Sequence, residues 1–215
     1  MNRITVSALS LLLFAVFFLP QNLFAQFPAA ENELDRKVVA FLKDQSGEWR
    51  DMNVPASDGR VLYDLILKGK YKKAVEIGTS TGHSGVWIAW ALSKTGGKLI
   101  TIEIDKNRHE EALANFKKAG VLDYIDARLA NAHEMVPKLG GKYDFVFSDA
   151  DKGWYKNYFI DMAPKLVKNG CFVAHNTNMR SGDMREFLEY IQNHKDFTTT
   201  LNSGSRSGMS ISYKK

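Results

Sequence analysis

The sequence predicts an α/β protein built on a doubly wound, mostly parallel sheet. Three observations carry that expectation. Short apolar runs alternate with amphipathic helical segments from about residue 73 to 194, the pattern of a parallel sheet with crossover helices. One junction, Val75-Glu76-Ile77-Gly78-Thr79-Ser80-Thr81-Gly82-His83-Ser84-Gly85, is a strand that drops through a glycine-punctuated turn into a helix. The tail differs: Phe197 to Leu201 and Met209 to Tyr213 are strand-like runs around a polar turn, so at least one closing strand is antiparallel. The sum is a Rossmann-like sheet of seven strands, with helices at the N-terminal side and an antiparallel hairpin at the C-terminus.

The elements follow in order. Leu34, Val38, Val39, Phe41 and Leu42 keep helical spacing, so a first helix spans about 32–44. A polar stretch, 45–53, separates it from a second helix marked by Val61, Leu62, Leu65 and Ile66, with Asp58 near its start and Gly69 near its end. Strands are expected near 73–78, 98–104, 124–129, 143–149 and 170–175. Helices fit 83–94, 106–119, 132–138, 154–167 and 182–194, with Gly120, Gly140-Gly141 and Gly170 as stops or turns. Residues 33–215 read as one domain, long enough to bury a sizeable core.

The first residues have a different layout. Met1-Asn2-Arg3 is cationic, Ile4 to Pro20 is nearly all apolar, and Leu23-Phe24-Ala25 resembles a small-residue cleavage site. That is the pattern of a secretory signal peptide over 1–25, followed by a leader over 26–32. The expectation is an exported protein, periplasmic or secreted. The alternative is a membrane anchor through residues 4–20, slightly short for a span; a membrane is a partner only in that case.

Composition excludes some classes. Apolar content of 45% and charged content of 25% are ordinary for a globular chain. The net charge of +5 is modest, and the densest basic cluster (Lys68, Lys70, Lys72, Lys73) reads as a solvated face rather than a nucleic-acid footprint. The one cysteine, Cys171, excludes an intramolecular disulfide and reads as a buried small hydrophobe.

The glycine turn reads as a nucleotide pocket, because glycines admit a ligand close to the backbone and the helix start offers free N–H groups. Its spacing, G-x-x-x-G-x-x-G, departs from the dinucleotide fingerprint G-x-G-x-x-G. Glu76, just before the first glycine, would repel a pyrophosphate and suit a cation, which favours S-adenosylmethionine over NAD. Glu103 ends the second strand, where a carboxylate accepts hydrogen bonds from ribose hydroxyls. An ordinary βα turn is the bland reading of the loop alone, and Glu103 counts against it. His83 reads as a loop residue beside the ligand.

Ligands of such sheets bind beyond the carboxyl ends of the strands. Those ends carry Gly78, Glu103, Ala130-Asn131-Ala132, Asp149 and His175-Asn176. Asp149, His175 and Asn176 offer three O/N ligands to a divalent metal. Lys152, three residues after Asp149, is placed to reach a group held there; out of context it reads as a solvated lysine. Asp151 either caps the next helix or faces the ligand.

On these residues the chain resembles the S-adenosylmethionine-dependent O-methyltransferases of the catechol and caffeoyl-CoA type, over roughly residues 34–215. The matching stretches are Met52-Asn53-Val54-Pro55-Ala56-Ser57-Asp58-Gly59, Glu76 to Ser84, Glu103, Asn131-Ala132, the D-A-D-K-x-x-Y motif Asp149-Ala150-Asp151-Lys152-Gly153-Trp154-Tyr155, and the D-N pair as His175-Asn176 followed by Ser181-Gly182. The resemblance implies a cofactor, S-adenosylmethionine, held by Met52, Val54, Glu76, Gly78, Ser84, Glu103, Ala132, Asp149 and Tyr155. It implies a divalent metal on Asp149, His175 and Asn176, with catalysis by Lys152 and Asp149. The metal would chelate two neighbouring oxygens of a small phenolic or catechol-like acceptor and lower its pKa from about 10. Lys152 would take the proton or stabilise the phenolate, and methyl would pass in line to oxygen.

Two departures stand out. The family has aspartate where this chain has His175, which shifts preference from Mg²⁺ toward Mn, Fe, Co, Ni or Zn, or marks loss of the metal. The family's long insertion after the D-N pair is nearly absent, which shortens one wall of the acceptor site. His175 and the export signal together motivate a second reading, a binding protein on a retired methyltransferase scaffold. The resemblance also allows a homodimer through the terminal hairpin or first helix.

Overall fold

The first five strands are β1 (Lys73–Ile77), β2 (Lys98–Glu103), β3 (Ile125–Leu129), β4 (Tyr143–Ser148) and β5 (Leu166–His175). With β6 (Phe197–Asn202) and β7 (Met209–Lys214) they form one sheet in the order β3-β2-β1-β4-β5-β7-β6. The first five run parallel, and β7 joins β5 and β6 antiparallel. This computed structural model describes residues 27–49, 52–202, 204 and 207–215. The expected signal segment 1–25 lies outside the described residues. Among the described residues no helix is long and apolar enough to cross a membrane.

The chain runs outward from β1 to β3 and then returns to the other side of β1 with β4. That reversal opens a crevice at the carboxyl ends of β1 and β4, where α/β sheets bind ligands. Register aligns the ends. Ile77 lies opposite both Ile102 and Ser148, and Ser148 lies opposite Ala174. Gly78, Glu103, Asp149 and His175 therefore emerge at one level.

Among the described residues seven helices cover the two faces: α1 (Glu33–Asp44), α2 (Ala56–Gly69), α3 (His83–Thr95), α4 (Lys106–Ala119), α5 (Ala132–Lys138), α6 (Tyr155–Met162) and α7 (Gly182–Gln192). Alternate side chains of the central strands go to opposite faces, as strand geometry requires. Phe145, Phe147, Cys171 and Val173 join the core under α1–α4. Val75, Ile77, Val146 and Phe172 join the core under α5–α7. Helix α3 is buried from His83 through Leu92, because α2 covers it on the side away from the sheet. Trp87 and Trp90 fill that layer. Helix α1 is fastened to it by Asp35, which accepts hydrogen bonds from Trp90 Nε1 (2.7 Å) and Lys94 Nζ (2.6 Å).

One expectation needs correction. The helix anticipated over 154–167 is shorter: α6 stops at Met162, a single 3₁₀ turn follows at Ala163–Lys165, and β5 already begins at Leu166. Pro164 has no N–H to continue the helix. The early half of β5 was hidden from the sequence by a bulge. Asn169 is left-handed (φ 62°), and the register against β4 shifts between Tyr143 and Phe145.

Candidate active site

The glycine turn after β1 is shaped by contact between strand ends. Gly78 has φ +95°, and a Cβ there would lie 2.9 Å from the backbone carbonyl of Asp149. The N–H groups of Gly78 and Thr79 both donate to the Ile102 carbonyl (3.0 and 3.2 Å). Ser80, itself left-handed at φ 50°, donates its N–H to Glu103 Oε2 at 2.7 Å. Glu103 Oε1 accepts from the N–H groups of Ile104 (3.0 Å) and Asp105 (2.9 Å). Three backbone donors thus fix this carboxylate in place, and hydrogen bonds to a charged acceptor are the strong kind.

Glu76 sits beneath the same turn and is fully buried. It accepts from the Thr101 hydroxyl (2.6 Å) and is bonded by the Ser84 side chain. Burial pushes its pKa up to about 7 against the pull of those two hydrogen bonds. Its Oε1 is buried without a hydrogen-bond partner.

A cleft of about 640 Å³ opens over the strand ends. Of the residues expected to hold ligand, Met52, Gly78, Glu103, Ala132, Asp149, Lys152, His175 and Asn176 line it. Val54, Glu76, Ser84 and Tyr155 are not on its wall but behind it, all buried. Tyr155 directs its hydroxyl toward Asp149 Oδ1 at 3.4 Å, and burial holds its pKa well above the ordinary phenol range. Asn131 caps α5 by accepting from the His133 N–H (3.0 Å). His133 stacks on Trp154 at 4.3 Å between ring centroids. Asp151 caps the turn that follows it, accepting from the Gly153 N–H (3.0 Å), and also lines the cleft.

His83 is not beside this cleft. It is the first residue of α3 and lines a second, largely apolar cavity of about 560 Å³ on the far side of Val54. Its Nδ1 donates to the Val54 carbonyl (2.7 Å), its Nε2 accepts from Trp87 Nε1 (3.1 Å), and Trp49 stacks on the ring at 4.5 Å. Both ring nitrogens are used by a neutral tautomer, and burial lowers the pKa to about 4.

At the rim of β4 and β5 the chemistry concentrates. Lys152 Nζ donates to Asp149 Oδ1 (2.7 Å), the Asp149 carbonyl (3.1 Å) and the Ala150 carbonyl (3.0 Å). Three acceptors match the three N–H groups of an ammonium. The other carboxylate oxygen, Asp149 Oδ2, lies 3.2 Å from His175 Nδ1, at ion-pair distance though not aligned as a hydrogen bond. His175 Nε2 lies 2.8 Å from Asp58 Oδ2. His175 and Asp58 are 2% and 1% exposed. Burial alone would lower the His175 pKa, but Asp149 and Asp58 overcome it and push it up to about 9. Both carboxylates favour the protonated ring.

Asp58 is the residue that sequence reasoning missed. It reads as a helix-start acid, and nothing local announces a partner 117 positions away. Its presence changes the expected metal site. Asp149, His175 and Asn176 do come together on the cleft wall; Lys152 takes Asp149 Oδ1 and Asp58 takes His175 Nε2, while Asp149 Oδ2 and His175 Nδ1 face each other at 3.2 Å without a hydrogen bond. Among the described residues no group of three or more His, Cys, Asp or Glu side chains is arranged to hold a metal.

The O-methyltransferase family model matches residues 28–204. The chain belongs to the O-methyltransferase family. This O-methyltransferase is 32% identical to caffeoyl-CoA O-methyltransferase 1 of Zea mays over 197 residues, 86% of this chain and 73% of the maize protein. It is 33% identical to caffeoyl-CoA O-methyltransferase of Medicago sativa over 165 residues, 72% of this chain and 66% of that one. Among solved structures, the O-methyltransferase TomG from Streptomyces achromogenes, in complex with SAM, superposes with a TM-score of 0.73 at 24% identity, covering 89% of this chain and 94% of that chain. The Bacillus cereus O-methyltransferase in complex with SAH gives 0.72 at 22% identity, covering 84% and 91%. Those two likenesses bear on the fold, and the doubly wound sheet expected from the sequence is the fold they share.

Proposed function

We propose that this O-methyltransferase moves a methyl group from S-adenosylmethionine to a hydroxyl of a small phenolic acceptor in the strand-end cleft. The observation that carries the reading is the pairing, in one cleft, of a backbone-anchored Glu103 with the Asp149–Lys152 pair. Glu103 spends three acceptor positions on backbone N–H groups, and a carboxylate has about four, which leaves room for a ribose hydroxyl. Glu76 keeps a negative or polarisable group, with an unpartnered Oε1, directly under the turn. Met52, Ile104 and Met179 are exposed and line the cleft, an apolar surface suited to flat aromatic groups. The named plant relatives are caffeoyl-CoA O-methyltransferases, in keeping with a phenolic acceptor.

When bound, the sulfonium supplies the methyl: a C–O bond forms at the acceptor as the C–S bond breaks and its electrons return to sulfur. The chain's residues position the partners, which supplies a large share of such an acceleration. Lys152 is the residue assigned to the acceptor oxygen. Its ammonium, held by three oxygens, gives up one of the backbone carbonyl contacts to stabilise the phenolate; the phenol proton leaves to water through the cleft mouth.

Purified protein, labelled S-adenosylmethionine and a panel of phenols, read by mass spectrometry, test the reading. Lys152→Ala should lower transfer by about 10²-fold or more with S-adenosylhomocysteine binding intact. Lys152→Arg should retain a measurable part of the rate if the cation acts as proposed, since arginine cannot serve as a base. An arginine variant as dead as the alanine variant would assign Lys152 the base role instead. We further propose that residues 1–25 direct export and are removed; N-terminal sequencing of the protein recovered from its native host tests it.

A further inference from the structure

The structure assigns a second small-molecule site to the apolar cavity behind Val54, one that takes a flat aromatic carboxylate. It does not rest on the methyl-transfer reading, and its occupant needs no hydroxyl.

The cavity holds about 560 Å³, within the range of small-molecule sites. Its inner end is apolar and buried: Leu42 and Val54 are each 2% exposed, and Ala56, the first residue of α2, lies beside them on the wall. Flat rings make up much of the rest. Trp49 lies over the His83 ring at an interplanar angle of 18°, and Phe27 lies over Trp87 at 3°. Both nitrogens of His83 are spent on Val54 and Trp87, so its edges are already taken. Aromatic surfaces of this kind favour flat, apolar molecules.

The polar groups on the wall favour one sign of charge. Lys43 is the one charged residue among the described lining residues, and no carboxylate joins it. It sits at the exposed end, in the last turn of α1, with its ammonium 5.9 Å from the centre of the Phe27 ring. Trp49 Nε1 is a buried donor with no hydrogen-bond partner among the described residues. A buried donor calls for an acceptor. A cation at the mouth, an unmet N–H and an apolar inner end together describe a ligand with a flat ring system and a carboxylate at one end.

The site is separate from the strand-end cleft but shares a wall with it. Met52 and Asn53 line the cleft, whereas Asn53, Val54 and Pro55 line the cavity. Asn53 is fixed to the glycine turn, donating to the Thr81 hydroxyl (2.7 Å) and accepting from the His83 N–H (3.3 Å). A ligand on each side of this segment can therefore be held at the same time.

The probe is 2-naphthoate, which has no hydroxyl to be methylated, titrated into the full chain by calorimetry. Binding should be saturable and should persist with S-adenosylhomocysteine present in excess. 2-Naphthamide, of the same shape without the charge, should bind about fivefold more weakly or worse. Ala56→Phe fills the inner end and should weaken 2-naphthoate by about tenfold or more. Lys43→Gln, at an exposed position, should lower 2-naphthoate to the level of the amide, and keeps the test decisive where Ala56→Phe does not fold. Thermal unfolding of each variant checks its fold. No saturable binding by the wild-type protein would overturn the inference, as would displacement by S-adenosylhomocysteine or equal affinity for acid and amide. So would an Ala56→Phe protein that unfolds like wild type and binds 2-naphthoate unchanged. Loss of S-adenosylhomocysteine binding alone would count against the methyl-transfer reading and leave this site standing.

Discussion

Gly78 has two independent reasons to be glycine. Its φ of +95° costs an L-residue about 1–2 kcal/mol, and a Cβ would press on the Asp149 backbone at 2.9 Å. Neither neighbour is the end of a flexible side chain, so relief requires the two strand ends to separate. Gly78→Ala should therefore cost about 2–4 kcal/mol by urea denaturation and weaken S-adenosylhomocysteine binding by calorimetry. His175 yields a pH prediction. Its folded pKa of about 9 stands above the unfolded value near 6.5, so the stability it contributes is present below pH 6.5 and is lost as pH rises through about 9. Glu76, raised to about 7, loses its contribution in the same direction but between about pH 4.5 and 7. His83, lowered to about 4, works the opposite way, losing its contribution as pH falls from 6.5 toward 4. Between pH 7 and 8.5 His175 stands alone among these three. Urea midpoints should fall over that window by the equivalent of about 1–2 kcal/mol, and the slope should vanish in His175→Gln.

At the level of elements, the α2–α3 contact sets the architecture around the site. Gly59 lies in α2 against Trp87 of α3, and a Cβ would press into the indole ring. Two effects compete in Gly59→Ala. Helix propensity favours alanine by about 1 kcal/mol, while overpacking of a filled layer costs about 1–3 kcal/mol. Trp87 is fully buried and stacked on Phe27, so it has little room to yield. The clash should win, with net destabilisation measurable by thermal unfolding. Because Asp58 is the neighbouring residue, the same variant should loosen its contact with His175. The strand–turn–helix around Gly78 was legible in the sequence because its parts are adjacent. The same holds for Lys152, three residues from Asp149. The shortened α6 was not legible, since Pro164 and the Asn169 bulge act on a helix–strand boundary that periodicity blurs.

For the whole molecule, the strand order turns separate motifs into one cleft, and a ligand bound there should stabilise the native state only. S-adenosylhomocysteine at a hundred times its Kd should contribute about 2.7 kcal/mol, a rise in Tm of about 5–10 °C for a domain of this size; no shift would remove the cofactor from the proposed function. By itself the sequence determined the doubly wound sheet and the glycine turn, and it put Glu103, Asp149 and Lys152 at the strand-end rim. Each of these follows from local periodicity and from the rule that strand ends share a rim. Only the tertiary structure decided what His175 does. Its character depends on Asp58, 117 positions away on another element, and on burial that turns two carboxylates and a ring into an ionic clasp. Distance along the chain carries no information about such a pairing. Tertiary burial likewise decided that Val54, Glu76, Ser84 and Tyr155 support the cleft from behind: Glu76 sits in a strand covered on both faces, which gives no pattern that tells wall from backing, and the other three are buried by packing between elements distant in the chain.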